Sequence, residues 1–538
     1  MLKDFGISVS LANLCFIEVW SRLITKSTNP KAQYLRYSFQ ESVAVIINVL
    51  LVATAIWLCV TLVKRSGSAA ALRVARWLFI IGLLVAINGF IHTEFPDSAV
   101  DNAPALFDGA GQTILVVAIL CVTVYLLARF LDRVVKVAAI ALLLLLPFAA
   151  MTFGQTVWHI IKFSDKHPGP LAQPSATAAP RVVWLVFDEM DQKLAFDARP
   201  ASLKLPELDR LRAESIYAAN AYPPAGQTLL SLPSLITGRF ISGAEAVNPS
   251  ELMITFEDSQ TAVSWGAQPN VFSRAREAGF NTSLVGWYHP YCRIIGEYLD
   301  RCVYYDVRRR SWAAVFLNQA AALINTVPFV ASSGLMNDSS LGLIKREEGA
   351  RKQNFLGIYL SMLDDAKRLS ADASVGLVLI HWSIPHSPNI YDSAGQELTW
   401  NKRVGYLDNL ALVDRTVGEM RQEMERAGVW EDTVLLITSD HSLRGKHLRA
   451  NFPPAESEAA NESATERFSK PDPRVPFVLK LGGKPQPVTY EPGFNTVITQ
   501  DLLLALLRRE LTGAESVTAW LEKNRSVAES PYKRNRER

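Results

Sequence analysis

Two stretches of the chain, Val183-Trp184-Leu185-Val186-Phe187-Asp188-Glu189 and Val434-Leu435-Leu436-Ile437-Thr438-Ser439-Asp440-His441, share one pattern. Each is an apolar, branched run that ends abruptly in residues able to bind a metal. This pattern is typical of a buried parallel strand, whose carboxyl end delivers polar side chains to one edge of a sheet. The two stretches therefore predict strands whose terminal acids and imidazole converge.

A third stretch supplies the hydroxyl group of the same predicted site. Residues 227–239 read Gln-Thr-Leu-Leu-Ser-Leu-Pro-Ser-Leu-Ile-Thr-Gly-Arg. Two carboxylates, an imidazole and a hydroxyl that meet at a strand edge would bind a divalent metal and activate the hydroxyl. An imidazole with few oxygen ligands favours Zn²⁺ or Mn²⁺ over Ca²⁺.

Length and composition are those of a soluble domain joined to a membrane region. The chain has 538 residues and a net charge of +3, and its apolar residues are concentrated in the first third. A charge so close to neutral gives no indication of a nucleic-acid partner.

The cysteines fall into two groups. Cys15, Cys59 and Cys121 lie in apolar segments, where a thiol usually acts as a small hydrophobic group. Cys292 and Cys302 lie in the polar part, at a spacing that suits a loop-closing disulfide in an oxidising compartment. The alternative is two unrelated free thiols.

Four apolar runs are long enough to be candidate membrane spans. They are about Ser42–Val63, Trp77–Ile91, Thr113–Ala128 and Val137–Phe153. Phe5–Trp20 is a fifth candidate, but it carries Glu18 and could instead be an interfacial helix. The sequence thus predicts a bundle of four or five helices.

The charges of the short loops predict how the bundle is oriented. The loops after the first and third runs are basic, which places them in the cytoplasm. Their basic residues are Lys64, Arg65, Arg73 and Arg76, and then Arg129, Arg133 and Lys136. The loop between them contains no Lys or Arg, and its acidic residues are Glu94, Asp97, Asp101 and Asp108. The chain therefore leaves the last run on the outer side of the membrane, which places the domain that follows outside.

The predicted domains are a transmembrane bundle over 1–163, a Pro-rich linker over 164–180, a catalytic domain over 181–525 and a basic tail over 526–538. Strand-like and helix-like patterns alternate through the catalytic domain, which predicts an α/β fold with a mostly parallel central sheet. The polar segment Asn451–Pro473 is interpreted as a surface loop near the site. Because the linker suggests independent folding, a chain that begins after Phe163 is expected to remain folded and metal-loaded.

From about Val182 to about Leu479 these motifs resemble the alkaline phosphatase superfamily, and within it the sulfatase-like branch. Thr237-Gly238-Arg239 matches the end of the sulfatase nucleophile motif, which places the nucleophile nine residues earlier, at Thr228. Leu230 and Leu232 replace the Pro and Arg of that motif. Residue 228 is neither Cys nor Ser, so it cannot be converted to formylglycine. The resemblance therefore does not imply sulfatase activity.

A threonine nucleophile is similar to that of the phosphoethanolamine and phosphoglycerol transferases of bacterial envelopes and of lipoteichoic acid synthase. The resemblance implies a metal set of Asp188, Thr228, Asp440 and His441. Those enzymes more often carry Glu at the first position, so the choice between Asp188 and the adjacent Glu189 stays open, with alternation along the strand favouring Asp188.

Three histidines complete the candidate site. The run from His381 to Pro388 resembles the family's His-x-Pro-His-x-Pro region, which implies that His386 contacts the substrate. His381 and His447 are further candidates for contact with metal or substrate. Asp191 and Asp197 are interpreted as surface acids.

The resemblance implies a metal-dependent phosphotransferase in which Thr228 carries the transferred group. The donor would be a membrane phospholipid, with phosphoethanolamine or phosphoglycerol as the head group, and the acceptor an envelope glycan or lipid. One alternative is a phosphodiesterase or phosphatase that resolves the same intermediate with water. Another is a catalytically silent membrane protein that binds lipid or glycan.

Overall fold

The computed structural model describes residues 1–24, 34, 38–94, 110–169, 181–306, 312–325, 340–444 and 472–525. The chain forms two compact units. The first, here the helical unit, comprises Met1–Thr28, Tyr37–Ser164 and Arg310–Ile344. The second, here the α/β unit, comprises Asn29–Arg36, Asp165–Arg309 and Lys345–Arg538.

These units interleave along the sequence, unlike the contiguous domains that the sequence predicts. Asn29–Arg36 groups with the α/β unit, and Arg310–Ile344 groups with the helical unit. The predicted linker from residue 170, the predicted surface loop up to residue 471 and the basic tail lie outside the described residues.

The described part of the helical unit before residue 165 contains six helices. They are α1 (Leu2–Cys15), α2 (Ile17–Ile24), α3 (Phe39–Ser66), α4 (Ala69–Glu94), α5 (Ala110–Leu144) and α6 (Leu146–Lys162). Helix α3 begins where the Ser38 hydroxyl accepts a hydrogen bond from the Glu41 N–H at 3.3 Å. It ends at Gly67, whose φ of 65° is a left-handed conformation that glycine adopts without strain.

Within the described residues, three helical stretches are long and apolar enough to cross a membrane: Phe39–Ser66, Ala69–Ile91 and Val117–Lys162. The third contains a break in helical geometry at Phe130, where φ is −116° and ψ is 18°. This break falls between the two runs that the sequence predicts as separate spans.

Helix α1, which covers most of the fifth candidate, packs inside the helical unit. It buries mainly small and polar side chains, including Gly6, Ser8, Ser10 and Ala12, which allow close approach of neighbouring helices. Asp4 near its start pairs with Lys64 near the end of α3 at 2.7 Å. The two helices therefore run antiparallel.

The α/β unit is built on an eight-stranded sheet in the order β14-β2-β13-β12-β1-β9-β7-β8. Its strands are β1 (Arg181–Asp188), β2 (Ile216–Ala218), β7 (Thr282–Trp287), β8 (Arg301–Tyr305), β9 (Leu377–Pro385), β12 (Thr433–Ser439), β13 (Phe477–Lys480) and β14 (Val488–Tyr490). The smaller sheets contain β3 (Ala221–Tyr222), β4 (Ile241–Asn248), β5 (Glu251–Phe256), β6 (Ala262–Ser264), β10 (Tyr391–Asp392), β11 (Glu397–Leu398) and β15 (Phe494–Asn495).

Helices pack on both faces of this sheet. The helices after residue 181 are α7 (Pro206–Glu214), α8 (Thr228–Thr237), α9 (Val271–Glu277), α10 (Tyr291–Ile294), α11 (Trp312–Asn325), α12 (Ser340–Ala371), α13 (Tyr406–Arg426), α14 (Thr499–Leu507) and α15 (Ala514–Asn524). Of these, α11 belongs to the helical unit, where the Asn48 amide on α3 donates to Gln319 Oε1 at 3.0 Å.

Strand β1 explains how the predicted pattern folds. It pairs in parallel with β9 on one side and β12 on the other, and all three strands are buried along their full length. Alternate residues enter opposite cores, with Trp184 and Val186 on one face and Leu185 and Phe187 on the other. Apolar contact on both faces accounts for the unbroken apolar runs and confirms the predicted α/β class.

A disulfide and the packing of Tyr34 hold the sequence around residue 290 in the α/β unit. Cys292 in α10 and Cys302 in β8 form a disulfide with a Cα–Cα distance of 5.5 Å. Tyr34 lies fully buried in the core that also contains Tyr291 and Trp265. A residue from the sequence between α2 and α3 is therefore part of the α/β core.

This placement changes the expected result of truncation. A chain that begins after Phe163 lacks Tyr34 and is expected to lose about 3–5 kcal/mol of unfolding free energy, because a large buried ring leaves a cavity. The measurement is denaturant unfolding of the truncated domain. The control is the same domain with residues 29–36 restored by fusion through a flexible linker. Equal midpoints for the two proteins would contradict the prediction.

Candidate metal centre

Three ligand-type side chains meet at the carboxyl edge of the sheet. Asp188 is the last residue of β1, and Asp440 and His441 directly follow β12. His441 Nε2 lies 3.7 Å from Asp188 Oδ1 and 3.5 Å from Asp440 Oδ2. All three side chains are buried. The parallel pairing of β1 with β12 is what brings the two predicted strand ends together.

Hydrogen bonds fix which atoms face the centre. Asp440 Oδ1 accepts from the Glu189 N–H at 3.2 Å and the His441 N–H at 2.8 Å, which leaves Oδ2 for a ligand. His441 Nδ1 is 3.0 Å from the Ser442 carbonyl oxygen. Because a carbonyl can only accept, Nδ1 carries the proton and Nε2 presents its lone pair to the centre.

Thr228 brings a hydroxyl to the same point. It is the first residue of α8, and its Oγ1 is 3.4 Å from His441 Nε2. Ser231, one turn later, donates from its hydroxyl to the Asp440 carbonyl oxygen at 2.5 Å. This bond holds the start of α8 against the residues that follow β12.

The Thr237-Gly238-Arg239 sequence has a structural role at the other end of α8. Gly238 ends the helix with a φ of 68°, and a Cβ there would meet the Gln500 side chain at 3.0 Å. Arg239 lies over the Phe256 ring at 3.6 Å and pairs with Asp258. The motif therefore terminates the helix that carries Thr228.

The donor set fits a divalent cation. Within the described residues, Asp188 Oδ1 and Asp440 Oδ2 are buried without a hydrogen-bond partner. Burial, with the nearby charges of Asp440 and Glu189, raises the pKa of Asp188 well above its usual value, and a bound cation would stabilise its charged form. The 3.4–3.7 Å donor separations around His441 Nε2 are close to those of a tetrahedral zinc site, in which ligand atoms lie about 3.3–3.6 Å apart.

Glu189 points away from this cluster. Its φ of 66° lies in the left-handed region, which non-glycine residues rarely adopt. Its Oε1 accepts from Arg444 Nε at 2.6 Å. The structure therefore groups Asp188, and not Glu189, with Asp440 and His441.

Two of the three candidate histidines lie beside the centre without joining the cluster. His386 follows β9, and its backbone N–H donates to the Asp188 carbonyl oxygen at 3.1 Å. Its side-chain Nε2 lies 3.9 Å from Glu189 Oε2. His381 is fully buried within β9, and burial lowers its pKa to about 4. Its Nδ1 is 2.8 Å from the Trp287 carbonyl oxygen. His447 lies outside the described residues.

Sequence reasoning missed three consecutive residues that follow or end β7. The Trp287 side chain is hydrogen-bonded to Asp188. Burial, together with the nearby charges of Asp188 and Asp440, raises the pKa of Tyr288 to about 12. His289 Nε2 is 3.2 Å from the Thr228 carbonyl oxygen. The available signal was their position at the carboxyl end of another parallel strand.

The interpretation of Asp191 as a surface acid is wrong. Its side chain is buried, its Oδ1 accepts from the Leu194 N–H at 2.9 Å, and burial raises its pKa to about 7. This hydrogen bond ties it to the start of the short π-helical segment Lys193–Asp197, and it lies outside the metal cluster.

Comparison with known proteins agrees with this architecture. Residues 182–446 match the family model described as type I phosphodiesterase / nucleotide pyrophosphatase. The match includes the ends of β1, β9 and β12 and all residues of the cluster. Among curated proteins, none matches the chain by sequence.

Solved structures that match part of the chain include the following three proteins. A sulfatase from Pseudoalteromonas sp. has 14% identity over 63% of this chain and 71% of its own, with a TM-score of 0.39. A protein in the alkaline phosphatase superfamily from Vibrio parahaemolyticus has 16% identity over 64% and 71%, with a TM-score of 0.37. The phosphonate monoester hydrolase of Agrobacterium radiobacter has 12% identity over 61% and 74%, with a TM-score of 0.37.

Proposed function

We propose that the protein is a metal-dependent phosphotransferase of the membrane surface, with an α/β unit of the alkaline phosphatase superfamily. The match of residues 182–446 to the phosphodiesterase family model supports this assignment. The protein would move phosphoethanolamine or phosphoglycerol from a phospholipid to an envelope glycan or lipid. The observation that carries the proposal is the position of Thr228 Oγ1, 3.4 Å from His441 Nε2 and beside two buried carboxylates.

Asp188, Asp440, His441 and Thr228 would hold a divalent cation, Zn²⁺ or Mn²⁺. Such a cation, when bound, lowers the pKa of a coordinated hydroxyl and so makes it a better nucleophile. The protein's own contribution is positional: α8 places Thr228 Oγ1 3.4 Å from His441 Nε2, beside the buried carboxylates of Asp188 and Asp440.

The proposed reaction has two balanced steps. In the first, Thr228 Oγ1 attacks the phosphorus of the donor, the bond from phosphorus to the lipid oxygen breaks, and diacylglycerol leaves with a proton. In the second, an acceptor hydroxyl attacks the phosphothreonine, loses its proton and restores Thr228. His386, which is 23% exposed, is placed to give and take the proton or to steady the phosphate oxygens.

The helical unit supports a lipid donor. Three of its helical stretches are long and apolar enough to cross a bilayer. Arg76 on α4 pairs with Asp132, next to the break in α5, at 2.8 Å, which brings two predicted cytoplasmic basic loops together. We propose five spans in a bacterial plasma membrane, with α1 as the first and the α/β unit outside. The helical unit also includes α11, beyond the sequence-based boundary at 163.

Hydrolysis is the second candidate function, and the family match favours it. The matched family is described as phosphodiesterase and pyrophosphatase, whose products result when water resolves the intermediate. The two functions share every residue of the centre. They differ only in which acceptor reaches phosphothreonine. A silent binding protein is disfavoured, because binding alone does not require a hydroxyl aimed between buried ligands.

The test is the mass of the protein isolated from membranes. We expect a peptide containing Thr228 to carry one added phosphoethanolamine or phosphoglycerol group, which would name the donor. The Thr228→Ala protein is the control and should carry none. Unmodified Thr228, together with ¹⁸O from labelled water in the released phosphate product, would favour the hydrolase instead.

A further inference from the structure

Tyr34, which lies between α2 and α3 in the sequence, is connected to Thr228 through a buried histidine. Tyr34 is fully buried in the α/β unit, and its hydroxyl is 2.8 Å from His289 Nδ1. The two rings meet edge to face at 5.9 Å between centroids. His289 is itself fully buried, so its ring has a fixed environment.

The second nitrogen of His289 contacts the proposed nucleophile. His289 Nε2 is 3.2 Å from the carbonyl oxygen of Thr228. That oxygen can only accept, so Nε2 donates, and in the neutral ring Nδ1 must accept. The Tyr34 hydroxyl therefore donates to Nδ1, and one directed chain of hydrogen bonds runs from Tyr34 through His289 to Thr228.

We propose that Tyr34 is a positioning residue for Thr228. This inference rests on the proposed function, in which Thr228 is the nucleophile. The bond from His289 restrains the peptide group that follows Thr228 at the start of α8, and Tyr34 selects the tautomer that can make this bond. Restraint of this kind matters because displacing a reacting atom by about 1 Å can reduce turnover about 100-fold.

The hydroxyl can be separated from the packing of the ring. The Tyr34 backbone carbonyl accepts from Arg293 Nη2 at 3.4 Å, and Arg293 Nε donates to the Pro249 carbonyl oxygen at 3.0 Å. These contacts do not involve the phenol oxygen. Tyr34→Phe therefore removes the donor to His289 while the ring and its backbone contacts remain.

The test compares Tyr34→Phe with Tyr359→Phe in the full-length, metal-loaded protein. Tyr359 is the matched control because its buried hydroxyl also makes one 2.9 Å bond, to Thr416 Oγ1, in the other core. With bis(p-nitrophenyl) phosphate as substrate, Tyr34→Phe should lower kcat about tenfold or more, with KM and metal content unchanged. Tyr359→Phe should keep the wild-type kcat at a similar loss of melting temperature.

A double-mutant cycle completes the test. In a His289→Phe background, Tyr34→Phe should cause no further loss of kcat, because the chain of hydrogen bonds to Thr228 is already interrupted. Equal kcat for wild type and Tyr34→Phe, or independent losses in the cycle, would overturn the proposal. If the wild-type protein turned over no phosphodiester, the proposed function would fail. The same cycle measured by thermal unfolding would still decide whether Tyr34 and His289 are coupled.

Discussion

Thr228→Ala is expected to reduce turnover of every phosphodiester substrate to the background rate. Loss of a covalent nucleophile commonly costs about 10⁴-fold or more in kcat, because no neighbouring group can form the intermediate. Asp188, Asp440 and His441 all remain in this variant, so metal should stay bound with somewhat lower affinity. The measurement pairs steady-state turnover with metal content on the same preparation.

Two variants separate the loss of the nucleophile from a disturbed helix. Thr228→Ser keeps a hydroxyl and should retain part of the activity. Thr237→Ala makes the same chemical change at the last residue of α8, where the hydroxyl donates to the Pro233 carbonyl oxygen at 2.7 Å. It should leave turnover near the wild-type value. Wild-type turnover by Thr228→Ala would exclude Thr228 as the attacking group.

The sequence was sufficient to predict the sheet edge. The run that ends at Asp188 and the run that precedes Asp440-His441 both form strands, and these strands pair in parallel. Both strands are buried along their length, which favours apolar residues. The local pattern of apolar residues is therefore enough to predict each strand and the residue at which it ends. Local geometry also favours Asp188 over Glu189. Glu189 has a left-handed backbone conformation, and its carboxylate pairs with Arg444.

Sequence reasoning could not reach the residues that depend on long-range contacts. Tyr34 and His289 are separated by 255 residues, and no periodicity in either segment indicates that they touch. Arg444 lies in a polar stretch whose pairing with Glu189 is set by the turn after β1. Similarly, α11 follows the α/β strands in sequence but groups with the helical unit. In each case tertiary packing, and not local pattern, selects the partner.

Asp440→Asn and His441→Ala should each lose metal and activity together, because each removes one ligand from a small donor set. In Asp440→Asn, the side-chain oxygen can still accept from the Glu189 and His441 N–H groups, so the turn after β12 should persist. The amide nitrogen would then replace Oδ2 and present hydrogens to the cation. His441→Ala removes Nε2, the atom nearest to Thr228 Oγ1.

Elemental analysis of each purified variant decides this prediction, with Asp258→Asn as the control for loss of one carboxylate. Asp258 is exposed and pairs with Arg239 beyond the end of α8, so its variant should keep full metal and wild-type turnover. Full stoichiometric metal in both Asp440→Asn and His441→Ala would remove these residues from coordination. The cluster of buried acids would then need another source of positive charge, and the proposed activation of Thr228 would lose its physical basis.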